Sequence, residues 1–310
     1  MQNKGRIVVV LGTGGTIAGT AADAADNVGY TAAQLGVAQL VKAVPALAGT
    51  PLESEQVAQL DSKDMDQLVW RQLALRCAHH LGRDEVAGVV VTHGTDTLEE
   101  TAWFLQRVLA PAKPVVLTGA MRPATALQSD GPQNLLDAVS LAQQPGASGV
   151  LAVFAGQVCG ARDVRKRHPY RLDAFGCGDA GPIGWIEEGV LRRFRPWPDD
   201  AGIGVAVLPA DAAAWPKVEI VMSHAGAGAA VVRALCAAGV QGLVVAATGN
   251  GSVHRDLEAA LIEAQQRGVR VLRSTRCRDG RVIATPADRL PAADDLPPEK
   301  ARVELLLQLL

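Results

Sequence analysis

Residues 86–91, Val86-Ala87-Gly88-Val89-Val90-Val91, are apolar throughout, and within six residues the pattern becomes that of an amphipathic helix. A strand apolar on both faces must be covered on both faces, which is the condition of a parallel sheet flanked by helices. In the segment that follows, Leu98, Ala102, Leu105 and Leu109 fall on one stripe. Thr97 with Glu100 three positions on has the form of a capping box, so the helix is expected to begin there. Between strand and helix lies Thr92-His93-Gly94-Thr95-Asp96-Thr97. That turn stands at the carboxyl end of a strand, where open α/β sheets bind ligands.

The same alternation recurs along the chain. Residues 7–11 read as a strand and run into Gly12-Thr13-Gly14-Gly15-Thr16-Ile17-Ala18-Gly19. This loop is not a dinucleotide fingerprint, because Ile17 stands where the third glycine would be. It also lacks the lysine of a phosphate loop. It reads either as a plain turn after an edge strand or as a backbone cradle for a small ligand, with Thr16 as a presented hydroxyl. Residues 21–30 lack periodicity and read as a loop or lid, with Tyr30 at its end as a packing residue or a site residue. Residues 34–44 look helical, and a helix is expected over 67–81. Ser62, in Asp61-Ser62-Lys63-Asp64-Met65, could be a helix N-cap or a binding group. Further strands are expected at 114–118 and 149–154. A helix should open at Ser129-Asp130-Gly131-Pro132 with Leu135, Leu136 and Val139 inward. The charged run 160–168 contains Lys166, which is either ordinary surface or a functional cation.

Residues 192–216 are rich in proline and lack a period, as a linker would. The expected organisation is therefore 1–191 as a catalytic α/β domain, a linker over 192–216, and 217–310 as a second α/β domain. The first should be the larger and flavodoxin-like, and both should have mainly parallel sheets. Strands are expected at 218–222, 243–247 and 269–273, and helices at 229–238, 255–267 and 299–310.

With 310 residues and a net charge of −2, the chain is not a general binder of nucleic acid or membrane surfaces. No apolar run reaches membrane-spanning length. Met1-Gln2-Asn3-Lys4-Gly5 leads straight into the first strand without a secretory core or a cleavage-like site, so a cytoplasmic location is expected, or a periplasmic one if a leader has been removed. Cys77, Cys159, Cys177, Cys236 and Cys277 are odd in number and lack metal-ligand spacing. They are expected as free, buried thiols.

Taken together, Thr13-Gly14-Gly15-Thr16-Ile17-Ala18-Gly19 and Thr92-His93-Gly94-Thr95-Asp96-Thr97 resemble the two signature motifs of bacterial-type L-asparaginases and glutaminase-asparaginases. The likeness extends in order through Asp61-Ser62-Lys63-Asp64-Met65, Gly119-Ala120-Met121-Arg122-Pro123, Ser129-Asp130-Gly131-Pro132 and 160–166, to Gly249-Asn250-Gly251 and Pro298-Glu299-Lys300-Ala301-Arg302. It implies hydrolysis of the side-chain amide of asparagine, and in many members glutamine, without cofactor or metal. It implies a homotetramer of intimate dimers with active sites at the dimer interface. Residue by residue, Thr16 matches the nucleophile and Tyr30 its neighbour, and Thr95, Asp96 and Lys166 match the second catalytic group. Gly15, Ser62, Lys63, Thr95 and Asp96 match substrate-binding positions. A threonine nucleophile, a proton acceptor and turn amides for an oxyanion form a coherent set for amide hydrolysis. Lys63 stands where many secreted members carry glutamine, and Ser252 where many carry a second asparagine. For the acid contributed by a partner subunit, Asp279, Asp288, Asp294 and Asp295 are the candidates. A non-catalytic amino-acid sensor on the same fold is the reading from another class.

Overall fold

The structure, a computed structural model, describes residues 5–310, so the reading of residues 1–4 as a short lead lies outside the described residues. The chain divides into two compact units, the first ending at Val207 and the second spanning Leu208–Leu310.

In the first unit β1 (Ile7–Gly14), α1 (Val37–Lys42), β2 (Leu52–Leu60), α2 (Gln67–Leu81), β3 (Val86–Thr92), α3 (Leu98–Leu109), β4 (Val115–Thr118), α4 (Gly131–Ala142) and β5 (Val150–Phe154) alternate, all but β2 having been expected from the sequence. After them come β6 (Gln157–Gly160), a two-stranded ribbon of β7 (Arg165–Lys166) and β8 (Phe175–Gly176), and a hairpin of β9 (Gly184–Glu187) and β10 (Val190–Arg193). The eight-stranded sheet has the order β10-β9-β6-β5-β4-β3-β1-β2. Strands β2-β1-β3-β4-β5 are parallel, which is the flavodoxin order, and β6, β9 and β10 extend it antiparallel.

Alternation decides which face each strand residue serves. Val8, Val10, Val90 and Val116 join Val37, Leu40, Leu135 and Ala138 in one core cluster, placing α1 and α4 on that face. Helices α2 and α3 pack on each other, with Trp70 stacked on Phe104 at 4.9 Å. Strand β2 has little apolar sequence, Leu52-Glu53-Ser54-Glu55-Gln56-Val57, because it is an edge strand with one sheet neighbour. Arg76 of α2 holds it by a bidentate pair to Glu55 at 2.6 and 2.8 Å.

Several sequence expectations change. The helix expected over 34–44 is only Val37–Lys42. Helix α3 does begin at Leu98, but Thr97 makes no side-chain cap; its hydroxyl donates instead to the Ser62 carbonyl at 2.8 Å. The capping box is displaced by a tertiary bond. Ser62 does not cap α2 either, since Asp66 does, accepting from the Val69 N–H at 2.8 Å. Strand β1 is an interior strand between β2 and β3, not an edge. The five cysteines are not all free: Cys159 and Cys177 form a disulfide, and Cys77, Cys236 and Cys277 remain thiols. Sequence spacing missed the pair because the sheet, not the chain, brings β6 against the end of the ribbon.

In the second unit β11 (Val218–Met222), β12 (Gly242–Ala247) and β13 (Arg270–Thr275) form a parallel sheet in that order, with α5 (Ala230–Ala237), α6 (Arg255–Gln266) and α7 (Pro298–Gln308). Leu243, Val245, Leu257, Leu261 and Val271 lie at its core. Among the described residues no helix is long and apolar enough to cross a membrane.

Candidate active site

The order β2-β1-β3 makes the carboxyl ends of β1 and β3 the switch point of the sheet, where the crossovers diverge and leave a crevice. The loops leaving those two strands carry Thr16 and the Gly94-Thr95-Asp96 turn. They touch backbone to backbone: a Cβ on Gly15 would lie 2.2 Å from the Gly94 Cα. Gly15 also has φ +80°, which a side chain would strain. Ser62 closes the same corner, since a Cβ on Gly94 would lie 2.5 Å from the Ser62 Oγ. The Asp96 N–H donates to that Oγ at 3.2 Å.

Thr16 opens a short 3-10 turn and is buried. Its Oγ1 lies 2.7 Å from the Tyr30 hydroxyl. The loop containing Tyr30 returns to the site because Thr20 and Thr31 exchange backbone hydrogen bonds at 2.9 Å. Thr95 is buried, with Oγ1 accepting from the Lys166 Nζ at 2.8 Å. The same ammonium donates to Asp96 Oδ1 at 2.6 Å. Asp96 keeps 57% of its side chain exposed, so it presents a carboxylate at the mouth while Lys166, at 17%, lies behind it.

Lys166 is far along the chain from this corner and reaches it because its ribbon is fixed from three sides. Its own N–H donates to the Glu99 carboxylate at 2.8 Å, in the first turn of α3. Its ribbon partner Phe175 stacks on Phe154 of β5 at 4.0 Å. Two residues on, Cys177 is bonded to Cys159 of β6.

Lys63 points away from this corner. Its ammonium bonds Asp61 at 2.8 Å and lies 3.7 Å from Asp64, with 63% of the side chain exposed. The Asp61 contact, then the charges of Asp61 and Asp64, raise its pKa above the ordinary lysine value. In the second unit Asp288 is committed to its own loop, accepting from Thr285 N–H at 2.8 Å and pairing with Arg273. Those bonds, the Thr285 amide first, hold its carboxyl below the usual range. Asn250 clasps the Ile283 backbone, accepting at 2.7 Å and donating at 3.2 Å.

The sequence motifs thus brought together Gly15, Thr16, Tyr30, Ser62, Thr95, Asp96 and Lys166. What sequence reasoning missed is the packing behind them. His93 is fully buried, with Nδ1 2.6 Å from the Gly94 carbonyl and Nε2 3.0 Å from Thr101 Oγ1. Trp70 Nε1 donates to the same Thr101 oxygen at 2.8 Å. Burial pushes the His93 pKa down to about 4, against the opposing pull of the Gly94 carbonyl. His93 lay inside the motif, but Trp70 and Thr101 read only as members of helix stripes. Among the described residues no group of three or more His, Cys, Asp or Glu could hold a metal ion.

Two hydroxyls, a lysine and a carboxylate gathered at the carboxyl ends of β1 and β3 define an α/β protein equipped for acyl chemistry. Residues 7–198 match the family model for the asparaginase N-terminal domain, and residues 217–310 that for the glutaminase/asparaginase C-terminal domain, so the chain belongs to the asparaginase family. It is 37% identical to L-asparaginase 2 of Bacillus subtilis, covering 97% of this chain and 81% of that one. Identity to the glutaminase-asparaginase of Pseudomonas fluorescens is 37%, over 97% and 86%. A solved structure described as a probable cytoplasmic L-asparaginase from Campylobacter jejuni superposes with a TM-score of 0.90 at 37% identity, covering 98% and 95% of the two chains.

Proposed function

We propose that this chain hydrolyses the side-chain amide of L-asparagine to aspartate and ammonia, with glutamine as a second substrate. The observation that carries the reading is the pair of buried threonine hydroxyls on touching turns, one beside a tyrosine hydroxyl and the other 2.8 Å from a lysine ammonium. Relatives named for asparagine and for both amides support it.

In this reading Thr16 Oγ1 attacks the amide carbon and its proton passes toward Tyr30. The C–N bond then breaks, ammonia leaves with a proton, and the acyl group rests on Thr16 as an ester. Water oriented by Thr95, whose hydroxyl oxygen the Lys166 ammonium holds, attacks the ester carbon; the C–O bond to Thr16 breaks, the acid is released, and the water's proton returns to the Thr16 oxygen. Asp96 holds the substrate α-ammonium, and the Ser62 hydroxyl holds the α-carboxylate; the residue 63 N–H is already engaged with the Asp61 carboxylate at 3.4 Å. Of the turn amides, Asp96 N–H is spent on Ser62, whereas Thr95 N–H donates to no protein atom among the described residues. It is therefore the donor we assign to the oxyanion.

A coupled ammonia assay with asparagine and glutamine tests this. Release from neither would leave the sensor reading; release from glutamine alone would reverse the preference. The functional form is proposed as a homotetramer of intimate dimers with shared sites, and sedimentation at assay concentration checks it; a fully active monomer refutes it. For the compartment we propose the cytoplasm, supported by three free thiols and the solved relative from Campylobacter jejuni described as a probable cytoplasmic L-asparaginase. The Cys159–Cys177 bond and the Haemophilus influenzae relative described as a probable periplasmic L-asparaginase weigh the other way, and cell fractionation decides between them.

A further inference from the structure

We propose that His93 is a positioning residue for the amide hydrolysis, acting through the Gly94 carbonyl; this rests on the function proposed above. The hydrogen bonds around it have one self-consistent direction. Trp70 Nε1 can only donate, so Thr101 Oγ1 accepts from it at 2.8 Å. That leaves the Thr101 hydrogen for the His93 Nε2, 3.0 Å away. Nε2 then accepts, and Nδ1 carries the ring hydrogen. The Gly94 carbonyl can only accept, and Nδ1–H donates to it at 2.6 Å. A neutral ring in one tautomer satisfies every partner, and complete burial keeps the ring neutral.

The consequence lies across one peptide bond. In a planar trans peptide the carbonyl of Gly94 and the N–H of Thr95 point in opposite directions. Holding the carbonyl inward on the ring therefore holds the Thr95 N–H outward, toward the crevice. Gly94 has no side chain to resist rotation of that peptide, and its neighbour across the corner, Gly15, has none either. His93 is the group that fixes the plane. A relay of indole, hydroxyl and imidazole thus runs from α2 through α3 to the reacting turn.

Two measurements test this. In 15N-histidine-labelled protein, His93 should show the Nδ1–H tautomer and stay neutral down to about pH 4. The Nε2–H tautomer, or a ring that titrates near 6.5, would overturn the proposal. In kinetics, His93→Asn places an amide N–H near the Nδ1 position and should keep kcat within about tenfold. His93→Gln reaches the Thr101 side instead and should lose about 10²–10³ in kcat, the cost of one oxyanion donor. KM for asparagine should change less than about threefold in both, since Ser62 and Asp96 are untouched. Equal losses in the two variants, or losses carried by KM, would show that His93 only fills space. A wild-type enzyme that releases no ammonia from either amide overturns the underlying reading and this role with it. That result is separate from the tautomer spectrum, which is read without substrate.

Discussion

Gly15 and Gly94 meet backbone to backbone, so closely that a Cβ on the first would stand 2.2 Å from the Cα of the second. Neither turn can carry a side chain at this point without separating the two hydroxyl-bearing loops. Gly15→Ala should cost more than about 1 kcal/mol, through the contact and through its φ of +80°. It should also remove most activity. Thermal unfolding and the ammonia assay check both effects, and an active, equally stable variant would contradict the packing.

Thr16→Ala, Thr95→Val and Lys166→Met separate chemistry from folding. Each should lower kcat by at least about 10²-fold. Thermal stability should change little, because these side chains serve the crevice rather than the core cluster. Near-normal turnover in any one would remove that residue from the mechanism.

The Cys159–Cys177 bond closes a loop across a sequence separation of 18. Loops of about that length contribute roughly 3 kcal/mol through the unfolded chain. The double variant Cys159→Ser/Cys177→Ser should therefore melt several degrees lower. Because the bond anchors the ribbon of Lys166, kcat should fall as well. A variant matching wild type in both would show that Phe175 and Glu99 suffice to hold the ribbon.

Lys63 pairs with Asp61 at 2.8 Å and stays largely exposed. Lys63→Gln should thus change KM for asparagine less than tenfold, or about 1.4 kcal/mol. The change should be insensitive to salt, as exposed charges are screened. A KM that falls further at low ionic strength would mean that the ammonium faces the substrate.

His93 also sets a pH dependence. Its folded pKa of about 4 lies below the ordinary histidine value, so the unfolded chain binds the extra proton first. The associated stability is complete above about pH 6.5 and is lost as pH falls toward 4, amounting to roughly 3 kcal/mol at most. Denaturant melts at stepped pH should show a shallower acid loss in His93→Asn than in wild type. Parallel curves would argue against a buried neutral ring.

Sequence pattern placed the helix over 67–81 and the strand after it with little error, because burial on both faces of a strand and on one stripe of a helix is written in residue type. The polar edge strand β2 escaped, since a strand with one sheet neighbour needs fewer apolar residues. Thr97 misled in the opposite way. Its local capping signal was sound, but once α3 and the 62–64 turn were packed the hydroxyl turned to donate to the Ser62 carbonyl, and its oxygen accepts no helix N–H.

The sequence by itself determined the alternation of strands and helices, the glycines that permit tight turns, and the residue types available for chemistry. Those depend on local propensity and periodicity, which neighbouring residues carry. Only the tertiary structure decided that Lys166 meets Thr95 across a separation of 71 residues, that Cys159 finds Cys177, and that Trp70, Thr101 and His93 join end to end behind the reacting turn. Such contacts are set by strand order and by which helix faces a given layer. A bond of 2.8 Å between distant residues is fixed by the whole packed sheet, and no stretch of chain encodes it alone.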